Sequence, residues 1–319
     1  MPDLLVYCLI ATAIDKMNPA GNFILRQSKA TLENKQFAIV CAVVLSIVPF
    51  ASWLSVALMS LITLRKGEKP GFEIMLPAMI VHSVPLMMFL PLEGALINTL
   101  VAYLPCYIAA LTLRKTASWS NVFGAFLIQA FLVFLSIEIL IPDFISDQFN
   151  HFKVLLSQFQ DYKQLVESST DGLNNLSLAH LFFGIQILSV IVSALISLMF
   201  ARTIQAKLFM PGGFKQEILE FRSGRFSFLM LIIVSVASYF EVPVAISTLP
   251  LLLAYFFLSG FSLAYYILAR KWQVRVVVLL FLLILLKPFF VLFAYIVFGS
   301  LDSLFNFRLY LPARVREST

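Results

Sequence analysis

Charged side chains are scarce in this chain. Asp, Glu, Lys and Arg supply only 13% of its 319 residues, about half the roughly 25% usual in soluble domains. A water-soluble globule needs a charged, solvated surface, so that class is excluded. Disorder is excluded too, because it requires low hydrophobicity and 61% of this chain is apolar. Regular alternation of apolar and polar residues is also missing, which argues against a membrane β-barrel.

Reactive groups are equally sparse. There is no G-x-x-x-x-G-K-[ST], no H-E-x-x-H and no G-x-S-x-G. The chain therefore carries no ATP-hydrolysing loop and is not expected to be an enzyme. The three cysteines, Cys8, Cys41 and Cys106, have no C-x-x-C spacing, so neither a disulfide framework nor a metal site is expected. His82, His151 and His180 are far apart and lack ligand spacing. No cofactor is implied. The net charge of +6 fits Lys and Arg retained on the cytoplasmic side of a membrane, and no nucleic-acid partner is expected.

What is present is a series of long apolar runs. Each reads as a transmembrane helix, which needs about 20 apolar residues and satisfies its own backbone in lipid. Residues 37–64 are uncharged and either form one tilted helix or a hairpin broken at Pro49. Further runs cover 72–91, 95–113, 119–141, 178–201, 226–249 (broken by Glu241 and Pro243), 250–269 and 276–299 (broken at Lys287-Pro288). The expected fold is an all-α, polytopic transmembrane helix bundle of about eight or nine membrane segments, with one amphipathic extramembrane helix. That helix falls in 142–177, where Phe149, Phe152, Leu156, Phe159, Tyr162 and Val166 recur every three or four positions.

Residues 1–36 read as a cytoplasmic segment with a short interfacial helix. Their basic residues follow the apolar run, so it is not a signal peptide. Residues 37–299 read as one transmembrane domain with no repeat, and 300–319 as a C-terminal tail. With the N-terminus inside and 37–64 a hairpin, 17 of the 23 Lys and Arg fall on the inner side, and loop 142–177 holds 2. By the positive-inside rule that loop is periplasmic and the basic 202–225 loop, with its Pro211-Gly212-Gly213 turn, is cytoplasmic. The side of the tail stays open: nine spans put it outside, whereas a re-entrant pair hinged at Lys287-Pro288 keeps it inside.

Candidate functional residues are polar groups in apolar helices, which are costly and usually face a cavity or a partner. Glu138 is the sharpest; it either reaches the outer headgroups or contacts a ligand or proton. His82, Gln129 and Lys287 are the other candidate ligand-binding residues. Lys287 is equally readable as a structural break, and His82 as an interhelical hydrogen bond. Ser189, Ser193, Ser197 and Ala201, four apart, place small residues on one helix face, as do Ala38, Ala42 and Ser46. Such seams pack helices inside a bundle or dock a partner subunit.

Three stretches resemble the YybS-like family of bacterial multi-pass membrane proteins, a group without assigned function. In "LITLRKGEKPGF" (61–72), Arg65 and Gly67 match an R-x-G at the end of the second helix. "PGGFKQEILEFRSGR" (211–225), with Pro211, Gly212, Gly213 and Phe214, looks like a cytoplasmic segment of the family. "GSLDSLFNFR" (299–308) looks like its G-x-x-D-x-x-F-x-x-R signature, through Gly299, Asp302, Phe305 and Arg308. The family is in turn distantly similar to the substrate-binding S components of energy-coupling-factor transporters. The resemblance implies a bacterial inner-membrane protein that binds or helps move a small solute and relies on other membrane subunits. The alternative is a scaffold or regulator that binds other membrane proteins.

Overall fold

The computed structural model describes residues 19–48, 51–89, 91–157, 174–268 and 273–310, and every regular element among them is a helix. Five helices are long and apolar enough to cross a membrane, or six if one bent pair counts as a single span. The chain is a multi-pass membrane protein. The apolar run 4–14 lies outside the described residues. Two compact units divide the chain, one of residues 1–115 and 193–214, the other of 116–192 and 215–319. The single domain drawn over 37–299 from sequence is thus shared between two units.

The first unit holds α1 (Pro19–Glu33), α2 (Lys35–Ile47), α3 (Ser52–Lys66), α4 (Glu68–Leu86), α5 (Leu92–Thr116) and the C-terminal part of α8 (Asn175–Phe209). Asn34 starts α2 by accepting from the N–H groups of Gln36 and Phe37 at 2.9 and 3.3 Å. This satisfies two donors that a helix start leaves bare. The 37–64 run forms two helices, α2 and α3, packed together: the Ser55 hydroxyl donates to the Ala42 carbonyl at 2.8 Å. At 13 residues, α2 is about 20 Å long, short of the roughly 30 Å of a bilayer core. Ala38, Ala42 and Ser46 are buried, so this seam packs within the unit.

The R-x-G of the first unit ends α3. Gly67 takes φ +107°, a left-handed conformation that closes the helix without a Cβ penalty. Arg114 donates to the carbonyls of Thr63 and Leu64 at 3.3 and 2.9 Å, reinforcing the helix end where Thr63 also accepts the Gly67 N–H. Arg65 lies 3.9 Å over the ring of Phe209.

The second unit holds α6 (Trp119–Leu140), α7 (Phe144–Ser157), the N-terminal part of α8, α9 (Gly213–Glu220), α10 (Arg225–Tyr239), α11 (Pro243–Leu268), α12 (Gln273–Leu286), α13 (Pro288–Phe305) and α14 (Phe307–Tyr310). Two boundaries differ from the sequence reading. Of the breaks read at Glu241-Pro243 and between 249 and 250, only the first is present: Pro243 begins α11, where its missing N–H costs nothing, and Pro250 sits inside that helix. Residues 300–305 belong to α13, not to a tail. Helix α8 has 35 residues and is about 52 Å long, so it overruns its apolar span into the basic stretch.

Part of the 142–177 stretch is helical, as α7. Ile145 and Phe149 are buried, while Val154 and Leu155 are exposed. Phe152 stacks on Phe182 of α8 at 4.3 Å. Phe159, Tyr162, Val166 and the side chain of Leu156 lie outside what is described.

At one end of the second unit, Trp119 and Ser120 meet α9 and the segment after it: the indole donates to Glu217 at 3.1 Å and the hydroxyl to the Arg222 carbonyl at 2.7 Å. At the other end, Asn174 donates to Glu241 at 3.4 Å. We call these the basic and acidic ends. Helices α11 and α13 touch through backbone. A Cβ on Gly260 would collide with the Tyr295 carbonyl, and one on Gly299 with the Phe256 carbonyl. Small residues permit this approach in membrane helices. Helix α11 runs toward the basic end, and Arg308 also lies there, against Leu219 and Ser262. The stretch 273–305 therefore starts and finishes at that end, with its break at Lys287.

Candidate functional site

Glu138 stands one turn before the end of α6, His180 in the second turn of α8 and Ser247 in the second turn of α11. Gly184, one turn beyond His180, brings these helices into contact. A Cβ there would collide with the Ser247 carbonyl, so any larger residue would push α8 away from α11. His180 and Ser247 are buried, and the Glu138 side chain is 33% exposed. Phe134 and Phe183, with ring centroids 5.7 Å apart, supply an apolar wall.

The Ser247 hydroxyl lies 3.1 Å from the His180 carbonyl and 3.3 Å from Nδ1. With its one proton on the carbonyl, the ring is the donor at Nδ1. In the neutral imidazole this leaves Nε2 as an acceptor. Nε2 faces the Glu138 carboxylate, also an acceptor, at 4.0 Å. Two acceptors facing each other in an apolar setting lack one proton or one donor group. The pair can take up a proton, or it can receive an N–H or ammonium donor from the exposed side of Glu138.

No protein family, characterised protein or solved structure matches the chain.

The four ligand-binding candidates do not converge. Gln129 donates to the Ala125 carbonyl of its own helix at 3.1 Å; it lies nine residues from Glu138, about half a turn round the helix. Lys287 is exposed in the break between α12 and α13. His82 belongs to the first unit, where Nδ1 lies 3.0 Å from the Ser46 carbonyl and the ring 5.7 Å from that of Tyr103. Of the second seam, Ser197 and Ala201 are buried whereas Ser189 and Ser193 are exposed. No group of three or more potential metal ligands occurs among the described residues.

The motif residues from distant parts of the sequence do meet. Asp302 and Arg308 of the last motif pair at 3.2 Å, buried, and Arg308 also donates to the Leu219 carbonyl within the 211–225 motif. Gly299 lies at the α11–α13 crossing, while Phe305 is exposed beside Phe307. Gly212 takes φ +89° in the exposed turn with Pro211, ahead of Gly213 and Phe214 at the start of α9. His180 and Ser247 escaped the sequence reading as partners of Glu138. Their numbers carry no spacing signal, and only Gly184 hinted at close helix contact.

Proposed function

We propose that this protein binds or helps move a small solute across or within the bacterial inner membrane, without an ATPase of its own. The observation that carries the reading is the Glu138–His180–Ser247 cluster, an acceptor pair short of one proton at the end of three apolar helices. Ionisable groups in such places mark ligand sites and proton relays. The preferred solute presents an amine or another N–H donor to Glu138. A proton taken up by the pair would release it. The resemblance to S components supports a capture role that depends on other membrane subunits.

The topology that fits has the acidic end periplasmic and the basic end cytoplasmic. The position of Arg308 beside Leu219 favours the re-entrant option for 276–299, with the tail inside. The alternative reading, a scaffold for other membrane proteins, is favoured by one observation: Ser189 and Ser193 leave a small-residue face uncovered on α8.

Native mass spectrometry of the detergent-purified protein tests the reading. The parent should retain a small amine-bearing molecule, and Glu138→Gln should keep the fold and lose that molecule. A Glu138→Gln protein that retains everything bound by the parent refutes the solute site.

A further inference from the structure

The segment 217–224 is strapped to the helices around it, yet one of its charged side chains is left with a buried donor and no acceptor. The Ser262 hydroxyl donates to the Ile218 carbonyl at 2.7 Å, with the Phe221 carbonyl 3.1 Å away. The Ser223 N–H donates to Ser259 Oγ at 3.1 Å and its hydroxyl to the Gly299 carbonyl at 3.3 Å, and Ser303 donates to the Gly224 carbonyl at 2.7 Å. Arg308 spends all three of its nitrogens here: Nε on Asp302, Nη1 on the Leu219 carbonyl and Nη2 on Ser262. Its guanidinium also faces the ring of Tyr266. Asp302, fully buried, spends its other oxygen on the Phe307 N–H at 3.0 Å.

Arg222 is the group left over. Its carbonyl is fixed by Ser120, but its Nη1 is buried and has no hydrogen-bond partner. No acid among the described residues pairs with it. Its charge weighs on Arg308: burial pushes that guanidinium down, Asp302 holds it up, and Arg222 pushes it down again. Asp302 is committed to Arg308 and to the Phe307 N–H, and Glu217 accepts from Trp119. A buried, charged donor without an acceptor keeps the full cost of its desolvation. Arg222 Nη1 therefore calls for an acceptor, and the oxygens of an anion suit a guanidinium fork.

We propose that Arg222 and Arg308 form an anion site at the basic end of the second unit, and that it takes a phosphate group. Two sources offer this chemistry, an anionic lipid headgroup and free phosphate. Basic pockets between membrane helices commonly hold such headgroups.

The test uses the full chain, delipidated in neutral detergent. Phosphatidylglycerol, phosphatidylcholine and inorganic phosphate are added separately, and binding is read by native mass spectrometry and thermal midpoint. Phosphatidylglycerol should bind and raise the midpoint, and phosphatidylcholine should do neither. If inorganic phosphate reproduces the effect, the ligand is free phosphate; if it does not, the ligand is the headgroup. Arg222→Gln should weaken binding by roughly ten- to hundredfold. Arg225→Gln, an exposed neighbour, should change it by less than about twofold. Without added anion, Arg222→Gln should be at least as stable as the parent, since it removes an unpaired buried charge. Failure of the parent to bind either anion, equal binding by Arg222→Gln, or instability of that variant without anion would each overturn the proposal.

Discussion

Replacing Asp302 by Asn should be among the most damaging single changes in the second unit. Asn is nearly isosteric and keeps one oxygen for the Phe307 N–H. Its amide, however, would face the Nε–H of Arg308, donor against donor. Asp302 is fully buried and the Arg308 side chain is 10% exposed, so water cannot replace the lost carboxylate. Breaking a buried pair by removing one partner costs about 3–5 kcal/mol. For a unit of this size that is a fall of roughly 6–20 °C in thermal midpoint. Arg308→Met alone should cost a similar amount, leaving Asp302 unpaired. The double variant Asp302→Asn/Arg308→Met removes both charges and should recover most of the loss, ending about 1–2 kcal/mol below the parent through the missing strap bonds. Heating the detergent-purified protein and following the folded fraction by size exclusion measures all three. A single variant within about 2 °C of the parent, or a double variant as weak as the sum of the singles, would refute the buried-pair reasoning.

Other variants probe other contacts. Gly260→Ala should force α11 and α13 apart and cost about 1–3 kcal/mol, seen as a lower thermal midpoint; Gly124→Ala, where a Cβ meets nothing within 4 Å, should be neutral or slightly stabilising. Arg114→Ala should release the end of α3 and cost about 1–2 kcal/mol, measured in the same way. Single cysteines at Gln148 and Lys207 test sidedness with a membrane-impermeant thiol reagent on spheroplasts: Gln148 should label and Lys207 should not, and the reverse pattern would invert the topology. Glu138→Gln should leave the thermal midpoint within about 2 °C, because the side chain is partly exposed and its pairing with His180 is long.

The helical, membrane-spanning character was legible because it rests on composition and run length, which need no tertiary contact. Element edges were less legible. The run 250–269 was started at Pro250, but the helix begins at Pro243, and a proline inside a membrane helix is tolerated when neighbouring groups satisfy the freed carbonyl. The extent of α8 was hidden because Lys and Arg are ordinary helix residues once the chain leaves lipid. Glu138 could be singled out since a carboxylate in an apolar run is conspicuous. His180 and Ser247 could not be attached to it, because helix pairing brings them together across 67 residues. The same limit hid the meeting of the 211–225 and 299–308 motifs. Each looked like a helix end with a local role, whereas Arg308 spans 89 residues to reach Leu219.

That span sets a timetable for biosynthesis. Ser120, which takes the Arg222 carbonyl, precedes segment 218–224, but the other residues that hold the segment leave the ribosome well after it. Ser262 follows Ile218 by 44 residues and Arg308 follows Leu219 by 89. At roughly 5–20 residues per second, the first clasp arrives after about 2–9 s and the last after about 4–18 s. In that interval the carbonyls of Leu219 and Gly224 depend on water or lipid headgroups, so the segment must wait at the membrane surface. The serines of α11 then draw it in, and α13 locks it. Slowing translation between codons 262 and 308 should lengthen the window in which a protease can cut this segment.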